Sequence, residues 1–173
     1  MPRYDLPHKA PEPLRLVQRL VNTVDFERDR DWLADLLAEE GVHATPAELE
    51  RAGEVREAIR ELLYANNRQP VEGDPQATLR RAADRARLTL DLEQPALVPM
   101  APGLDGFLGR VLAAAHVAMV DGSWSRLKAC RNHGCRWAFY DYSRNRSASW
   151  CSMQLCGNRT KTRVYRRRRS ATT

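Results

Sequence analysis

The segment that decides the fold is residues 127–157, which read LKACRNHGCRWAFYDYSRNRSASWCSMQLCG and contain every cysteine of the chain. The cysteines form two close pairs separated by a longer loop: Cys130 with Cys135, and Cys151 with Cys156. This layout is typical of a structural four-thiolate zinc site. Four sulfur ligands at about 2.3 Å complete a tetrahedron, with neighbouring sulfurs about 3.8 Å apart. The spacing therefore predicts one structural Zn²⁺ ion without a position for a substrate.

Other interpretations of the cysteines stay open at this point. They could form two disulfide bonds or be unrelated buried residues, and His133 could replace one of them as a ligand. Cys151 and Cys156 cannot share a metal from one regular α-helix, because residues five apart lie about 140° apart around its axis. We expect a short turn or helix over residues 152–155, a change of direction near Cys156 and Gly157, and then a new helix.

Aromatic residues are dense between the two cysteine pairs. Trp137, Phe139, Tyr140 and Tyr142 favour β-structure and predict a hairpin that descends from the first pair. We expect these rings to form a small core that supports the metal, with base stacking as the alternative. Trp150, beside Cys151, is expected to shield the zinc site.

The charge of the chain changes abruptly near residue 122. Residues 123–173 contain 13 lysines and arginines and one acid, Asp141, whereas residues 1–122 contain 15 basic and 21 acidic residues. We therefore predict two domains, 1–122 and 123–173. A basic module of this kind indicates an anionic partner.

The candidate nucleic-acid contacts are arginines and one lysine in the basic module. As a helix, the residues after Gly157 would place several arginines on one face, where they can reach phosphates or guanine edges. A solvated basic face without a specific ligand is the alternative, and Asp141 and Arg159 could instead be structural. The candidates are Arg144, Arg146, Arg159, Lys161, Arg163, Arg166 and Arg167.

The preceding part of the chain has the apolar periodicity of helices. Helices are predicted over residues 12–26, 32–40, 46–66, 74–86 and 103–120, with one hairpin near 88–100. The third helix has a capping box, because Thr45 precedes Pro46 and Glu48. The acidic residues Asp25, Glu27, Asp29 and Asp31 are interpreted as a solvated stretch, and His116 as a core or interface residue. The predicted fold class is mainly α with a small β-hairpin, namely a helical domain followed by a small α+β, treble-clef-like four-cysteine module.

The sequence also argues against several classes of protein. We expect no apolar segment long enough to span a lipid bilayer, and the first residues are not followed by the apolar core of a signal peptide. We therefore expect a cytoplasmic protein without a membrane partner. No nucleophile–base arrangement, phosphate loop or dinucleotide motif is present. An enzyme is therefore not expected.

Five short motifs in order resemble the CGNR zinc-finger family. They are LKAC at 127–130, WAFYD at 137–141, SRNR at 143–146, WCSM at 150–153 and CGNR at 156–159. The upstream part is similar to the ABATE domain, chiefly through LVNTVD at residues 20–25. The resemblance implies a bacterial, stress-linked transcription regulator.

The composition and the resemblance together predict a zinc-finger transcription regulator that binds DNA. The helical domain would then dimerise or sense a signal whose chemistry the sequence does not specify. The alternative is a zinc-stabilised adaptor that binds proteins or RNA.

Overall fold

The structure, a computed structural model, describes residues 8–158 of the chain. The helices are α1 (Leu14–Val21), α2 (Leu33–Glu39), α3 (Pro46–Asn66), α4 (Pro75–Ala86) and α5 (Gly103–Val120). The strands form antiparallel hairpins: β1 (Val24–Asp25) with β2 (Arg30–Asp31), β3 (Leu88–Asp91) with β4 (Ala96–Pro99), and β5 (Leu127–Ala129) with β6 (Ala138–Tyr140). The mainly helical fold class, with a four-cysteine cluster after the helices, is confirmed. The treble-clef-like arrangement stays a prediction, because the helix expected after Gly157 lies almost wholly outside the described residues.

Two helix starts follow directly from side-chain caps. The Thr45 hydroxyl accepts a hydrogen bond from the Glu48 amide at 3.3 Å, and the Glu48 carboxylate accepts one from the Thr45 amide at 2.8 Å. At α4, the Asp74 carboxylate accepts from the Ala77 amide at 3.0 Å. Both helices then begin at a proline, whose missing N–H costs nothing in the first turn.

The first helix is shorter than the sequence predicts. It was expected over residues 12–26 but ends at Val21, and the β1–β2 hairpin follows. Asp25 makes the hairpin turn, because its carboxylate accepts hydrogen bonds from the amides of Glu27 and Arg28 at 3.0 and 3.2 Å. Asp25 is only 2% exposed, so the interpretation of the acidic stretch as solvated is wrong for Asp25, whereas Glu27, Asp29 and Asp31 are exposed as expected.

Helix α5 lies at the centre of the helical packing. It contacts α1, α4 and β4, and its buried residues include Phe107, Leu108 and Val111. By length and composition alone it reaches the membrane-spanning range, contrary to the expectation from sequence, but half of it is buried within the fold, as in a core helix. His116 lies on its exposed side and so is not a core residue.

The β5–β6 hairpin packs on the helical part. The main apolar core includes residues from this hairpin together with residues of α1, α3 and α5; the hairpin residues are Leu127, Ala129, Ala138 and Tyr140. Side chains alternate across a strand, so Lys128 and Phe139, which pair with each other, face the opposite side. The hairpin is therefore a layer between the helices and the cysteine cluster. The domain division at residue 122 stays a prediction.

Polar contacts reinforce this packing. The Asn22 side chain donates to the Ala138 carbonyl at 2.9 Å and accepts from the Ala138 amide at 2.7 Å. On the other strand, Asn67 donates to the Ala129 carbonyl at 2.7 Å. Arg60, which is 1% exposed, donates to the carbonyl of Arg136 at 2.6 Å. The helical part thus holds backbone groups on both strands of the hairpin and beside the first cysteine pair.

Candidate metal centre

The four predicted cysteines meet in one buried cluster. Their sulfur atoms all lie within 4.8 Å of one another. The distance from the Cys135 sulfur to that of Cys151 is 3.5 Å, and from Cys151 to Cys156 it is 3.6 Å. These separations are near the edge of about 3.8 Å expected for a zinc tetrathiolate, and well beyond the bond length of about 2.05 Å in a disulfide. The donor set fits one Zn²⁺ ion, and the disulfide alternative is not adopted.

The first cysteine pair lies on a tight turn between β5 and β6. The Cys130 amide donates to the Trp137 carbonyl at 2.9 Å, and the Cys135 amide donates to the Asn132 carbonyl at 2.8 Å. Arg136 takes a left-handed conformation, with φ of 58°, where the chain returns into β6. His133 is exposed on this turn and does not belong to the sulfur cluster.

The second pair spans a π-helical turn at Met153–Gly157. The Gly157 amide donates to the Ser152 carbonyl five residues earlier, at 3.0 Å, and the Ser152 hydroxyl accepts from the Leu155 amide at 3.3 Å. This wider turn resolves the difficulty that a regular helix would separate Cys151 from Cys156. The sequence correctly excluded a regular helix but did not identify the π turn.

Gly157 has a different role from the one expected. Its φ is not positive, so it does not supply a left-handed change of direction. Instead, a Cβ atom there would lie 2.7 Å from the Met153 sulfur and 3.1 Å from Cδ1 of Trp150. These two side chains therefore pack directly against the Gly157 backbone, and a larger residue there would require the Met153 side chain to move and Trp150 to shift.

A small apolar shell surrounds the sulfur atoms. Trp137 and Phe139 are buried with the cysteines, and Trp150 packs against them. Tyr140 is buried in the helical core instead, whereas Tyr142 is 62% exposed. Of the four rings predicted to form a small core, three are therefore core residues, but they serve two different cores.

The electrostatics of the cluster call for a cation. Hydrogen bonds from the thiols of Cys135 and Cys151 lower the pKa of Cys130 to about 3. The same interactions raise the pKa values of Cys135 and Cys151, because a thiolate at Cys130 favours their protonated forms. Several buried thiolates repel one another without a counter-charge, whereas a bound Zn²⁺ deprotonates its thiol ligands. Asn132 adds a hydrogen bond from its side chain to the Cys156 sulfur at 3.5 Å.

A buried ion pair shapes the loop between the cysteine pairs. The Lys128 ammonium lies 2.7 Å from the Asp141 carboxylate and also donates to the carbonyls of Arg146 and Ala148 at 2.6 and 3.2 Å. Asp141 accepts further hydrogen bonds from the amides of Ser143 and Ala148. Burial raises the pKa of Asp141, but these hydrogen bonds and the ammonium lower it by more. Asp141 therefore organises residues 141–148, which we call the arginine loop.

The predicted nucleic-acid contacts divide into two groups. Arg144 and Arg146 are exposed on the arginine loop, and Arg146 donates to the Ser125 hydroxyl at 3.0 Å. The remaining candidates lie outside the described residues: Arg159, Lys161, Arg163, Arg166 and Arg167. The other described arginines of this part bond to backbone carbonyls or to a tyrosine hydroxyl: Arg126, Arg131 and Arg136.

Sequence reasoning missed the residues that hold the hairpin, namely Asn22, Arg60 and Asn67. Asn22 lies within the LVNTVD segment, where a polar residue directly follows the apolar face of α1. A polar residue at this position could have indicated that Asn22 makes a specific tertiary contact. Nothing local indicates that its partner is Ala138, 116 residues later.

Two known families match this chain, one in the helical part and one in the zinc finger. Residues 126–169 match the CGNR zinc finger. Residues 14–122, more than half of the chain, match the ABATE family, which is described as a putative stress-induced transcription regulator. No curated protein sequence matches significantly. The chain therefore belongs to the ABATE family and carries a C-terminal CGNR zinc finger with one structural zinc ion.

Proposed function

We propose that the protein is a transcription regulator that binds DNA through the zinc finger. The observation that carries this proposal is the arginine loop, where Arg144 and Arg146 are exposed while the backbone carbonyl of Arg146 is held by the buried Lys128–Asp141 pair. A loop fixed in this way presents its guanidinium groups with little loss of backbone entropy, which favours binding to phosphates. Residues 159–169 add seven further basic side chains to the sequence of the finger.

DNA is favoured over single-stranded RNA by the burial of the aromatic rings. Single-stranded RNA is commonly recognised by stacking its bases on exposed aromatic side chains. Trp137, Phe139 and Tyr140 are at most 9% exposed, and the Tyr142 hydroxyl donates to the Lys9 carbonyl at 2.6 Å. Of the rings between the cysteine pairs, Tyr142 alone has a large accessible face, which is a small platform for stacking.

The helical domain is proposed to sense a signal or to dimerise. Its direct hydrogen bonds to the hairpin give a physical route from the helices to the finger. The protein is not proposed to be an enzyme, because a zinc ion with four thiolate ligands has no open coordination position.

Fluorescence anisotropy of the zinc-loaded full chain on duplex DNA and on single-stranded RNA, across a range of salt concentrations, tests this proposal. We expect tighter binding to DNA, with an affinity that falls steeply with salt. Arg144→Ala/Arg146→Ala should reduce the slope of log K against log[salt] by about 1 to 2, since each lost phosphate contact contributes about 0.9.

The matched control is Arg80→Ala/Arg85→Ala, which removes the same charge from the exposed surface of α4. It should leave the slope unchanged. An equal loss in both variants would show that only net charge matters, and an absence of DNA binding at low salt would disprove the proposal.

A further inference from the structure

A groove of about 360 Å³ lies between α2 and α3 on the helical domain. It is lined by Leu33, Ala34, Leu49 and Gly53 together with the charged residues Asp31, Glu50 and Arg56. The volume is at the lower end of the range of about 300 to 1,000 Å³ for small-molecule sites. A ligand for this groove would be small, with an apolar body.

Gly53 gives an independent reason to regard the groove as functional. It lies within the 21-residue helix α3, where glycine costs about 1 kcal/mol relative to alanine. No atom lies within 4 Å of the position that its Cβ would occupy, and its φ is not positive. Neither packing nor backbone conformation therefore requires glycine here. A side chain at this position would instead take up space in the groove.

The charges around the groove favour a cation as the ligand. The Asp31 side chain is 46% exposed, and Glu50 adds a second exposed carboxylate to the lining. Arg56 is 9% exposed in its side chain, and its Nη1 and Nε atoms already donate to Asp31 and Glu57 at 2.8 and 2.9 Å. An anion would find little accessible positive charge, whereas the exposed carboxylates of Asp31 and Glu50 offer negative charge to an ammonium group.

We propose that this groove binds a small organic cation, a primary ammonium on a short aliphatic chain, as the effector of the helical domain. The aliphatic chain lies against Leu33 and Leu49, and the ammonium group pairs with Asp31 and Glu50. This inference rests on the proposed function in one respect, because it identifies the signal that the helical domain of the regulator senses.

The groove is connected to the zinc finger by a short series of hydrogen bonds. Arg56 donates through Nη1 both to Asp31 and to the Thr23 hydroxyl, the latter at 3.0 Å. The Trp32 amide donates to the Thr23 carbonyl at 2.7 Å. Asn22, the neighbour of Thr23, holds Ala138 of the finger hairpin through two hydrogen bonds. An ammonium group that competes with Arg56 for Asp31 therefore acts at the open end of the β1–β2 hairpin, where Asp31 pairs with Val24, two residues after Asn22.

Isothermal titration calorimetry on the zinc-loaded full chain, without DNA, tests the site. The probes are n-hexylammonium, hexanoate and hexanol, which share a chain and differ in charge. We expect n-hexylammonium to bind at least tenfold more tightly than either of the others. Equal binding of hexanol, or tighter binding of hexanoate, would overturn the assignment of a cation.

Two variants locate the bound probe. Gly53→Leu should fill the groove and weaken n-hexylammonium binding at least tenfold, with circular dichroism as the check that α3 is intact. Glu50→Gln should weaken binding about threefold or more, whereas Glu54→Gln, which lines a different cleft on the same helix, should not. If Gly53→Leu does not fold, the location of the site is decided by comparing Glu50→Gln with Glu54→Gln. Equal affinities of these two variants for n-hexylammonium would overturn the proposed site.

A second measurement separates this inference from the proposed function. DNA anisotropy is repeated with n-hexylammonium chloride and with sodium chloride at equal ionic strength. We expect the ammonium to change the DNA affinity at least threefold in the wild-type chain and less in Glu50→Gln. If the probe binds but the protein does not bind DNA, the proposed function as a regulator is disproved and the proposed ligand site still stands. If the probe binds and the DNA affinity does not change, the proposed role of the ligand as an effector is overturned.

Discussion

The helical part and the zinc finger are held together by different forces. The helices bury a continuous apolar core around α5, whereas the cysteine cluster has a core of six buried residues, four of them cysteines. A core this small cannot offset the conformational entropy of the loops around it, so metal must supply the difference. The comparison teaches that the finger depends on two external supports, the zinc ion on one side of its hairpin and the helices on the other.

The largest expected effect comes from removal of a metal ligand. Cys151→Ser should abolish zinc binding, because structural zinc contributes an apparent binding free energy of about 10 to 16 kcal/mol in small fingers. Hydrogen exchange should show that residues 127–157 lose protection while α3 and α5 retain it. Metal content is measured in parallel, with the exposed Ser147→Ala as the control. Full zinc content in Cys151→Ser would contradict the four-ligand assignment, and loss of protection in α5 would show that the two regions unfold together.

A smaller but still large effect is expected at the buried ion pair. Lys128→Met leaves the Asp141 carboxylate unpaired in the interior and should lower the free energy of unfolding by about 3 to 5 kcal/mol. Urea denaturation measures the change. The double variant Lys128→Met/Asp141→Asn should recover much of the loss, because no buried charge then remains. A single variant as stable as the wild type would show that the pair does not organise the arginine loop.

The contact between the two regions should give an intermediate effect. Asn22→Ala removes the partner of the Ala138 amide and one of two side-chain donors to the Ala138 carbonyl, which keeps a hydrogen bond from Gln18 at 3.2 Å. The amide left without a hydrogen bond should cost about 1 to 3 kcal/mol. The exposed Asn145→Ala is the matched control and should change little. Faster amide exchange at Ala138 in a variant that retains zinc would show that the helices stabilise the finger in addition to the metal. Unchanged exchange there would mean that the metal alone is sufficient.

The smallest effect is confined to the helical part. Thr45→Ala removes the cap of α3 and should cost about 1 kcal/mol of stability. Because this cap is exposed and belongs to the far end of α3, zinc affinity should stay unchanged. Competition with a chromogenic chelator measures that affinity. Weaker zinc binding in this variant would mean that the stability of the helices and the affinity of the finger are coupled along the whole helix.

Local signals were sufficient for the elements that local contacts determine. The capping box at Thr45 and the bounds of α5 follow from residues within a few positions of each other, and the cysteine spacing indicates the metal for the same reason. The predicted end of α1 was wrong, because the helix stops before Asn22, whose side chain forms a hydrogen bond with Ala138, 116 residues away. The π turn at Met153–Gly157 was also missed, because the cysteine spacing excludes a regular helix but does not specify which turn replaces it.

The β5–β6 hairpin also has a consequence for the behaviour of the protein during expression. A free two-stranded hairpin exposes unpaired backbone groups on both outer edges, which invite pairing with other chains and aggregation. Here the carbonyls of Leu127 and Ala129 accept from Asn66 and Asn67, and the Tyr140 amide donates to the His8 carbonyl at 3.0 Å. The helical part therefore protects the hairpin edges. A finger produced without it would expose these edges even when loaded with zinc, and we expect that fragment to aggregate.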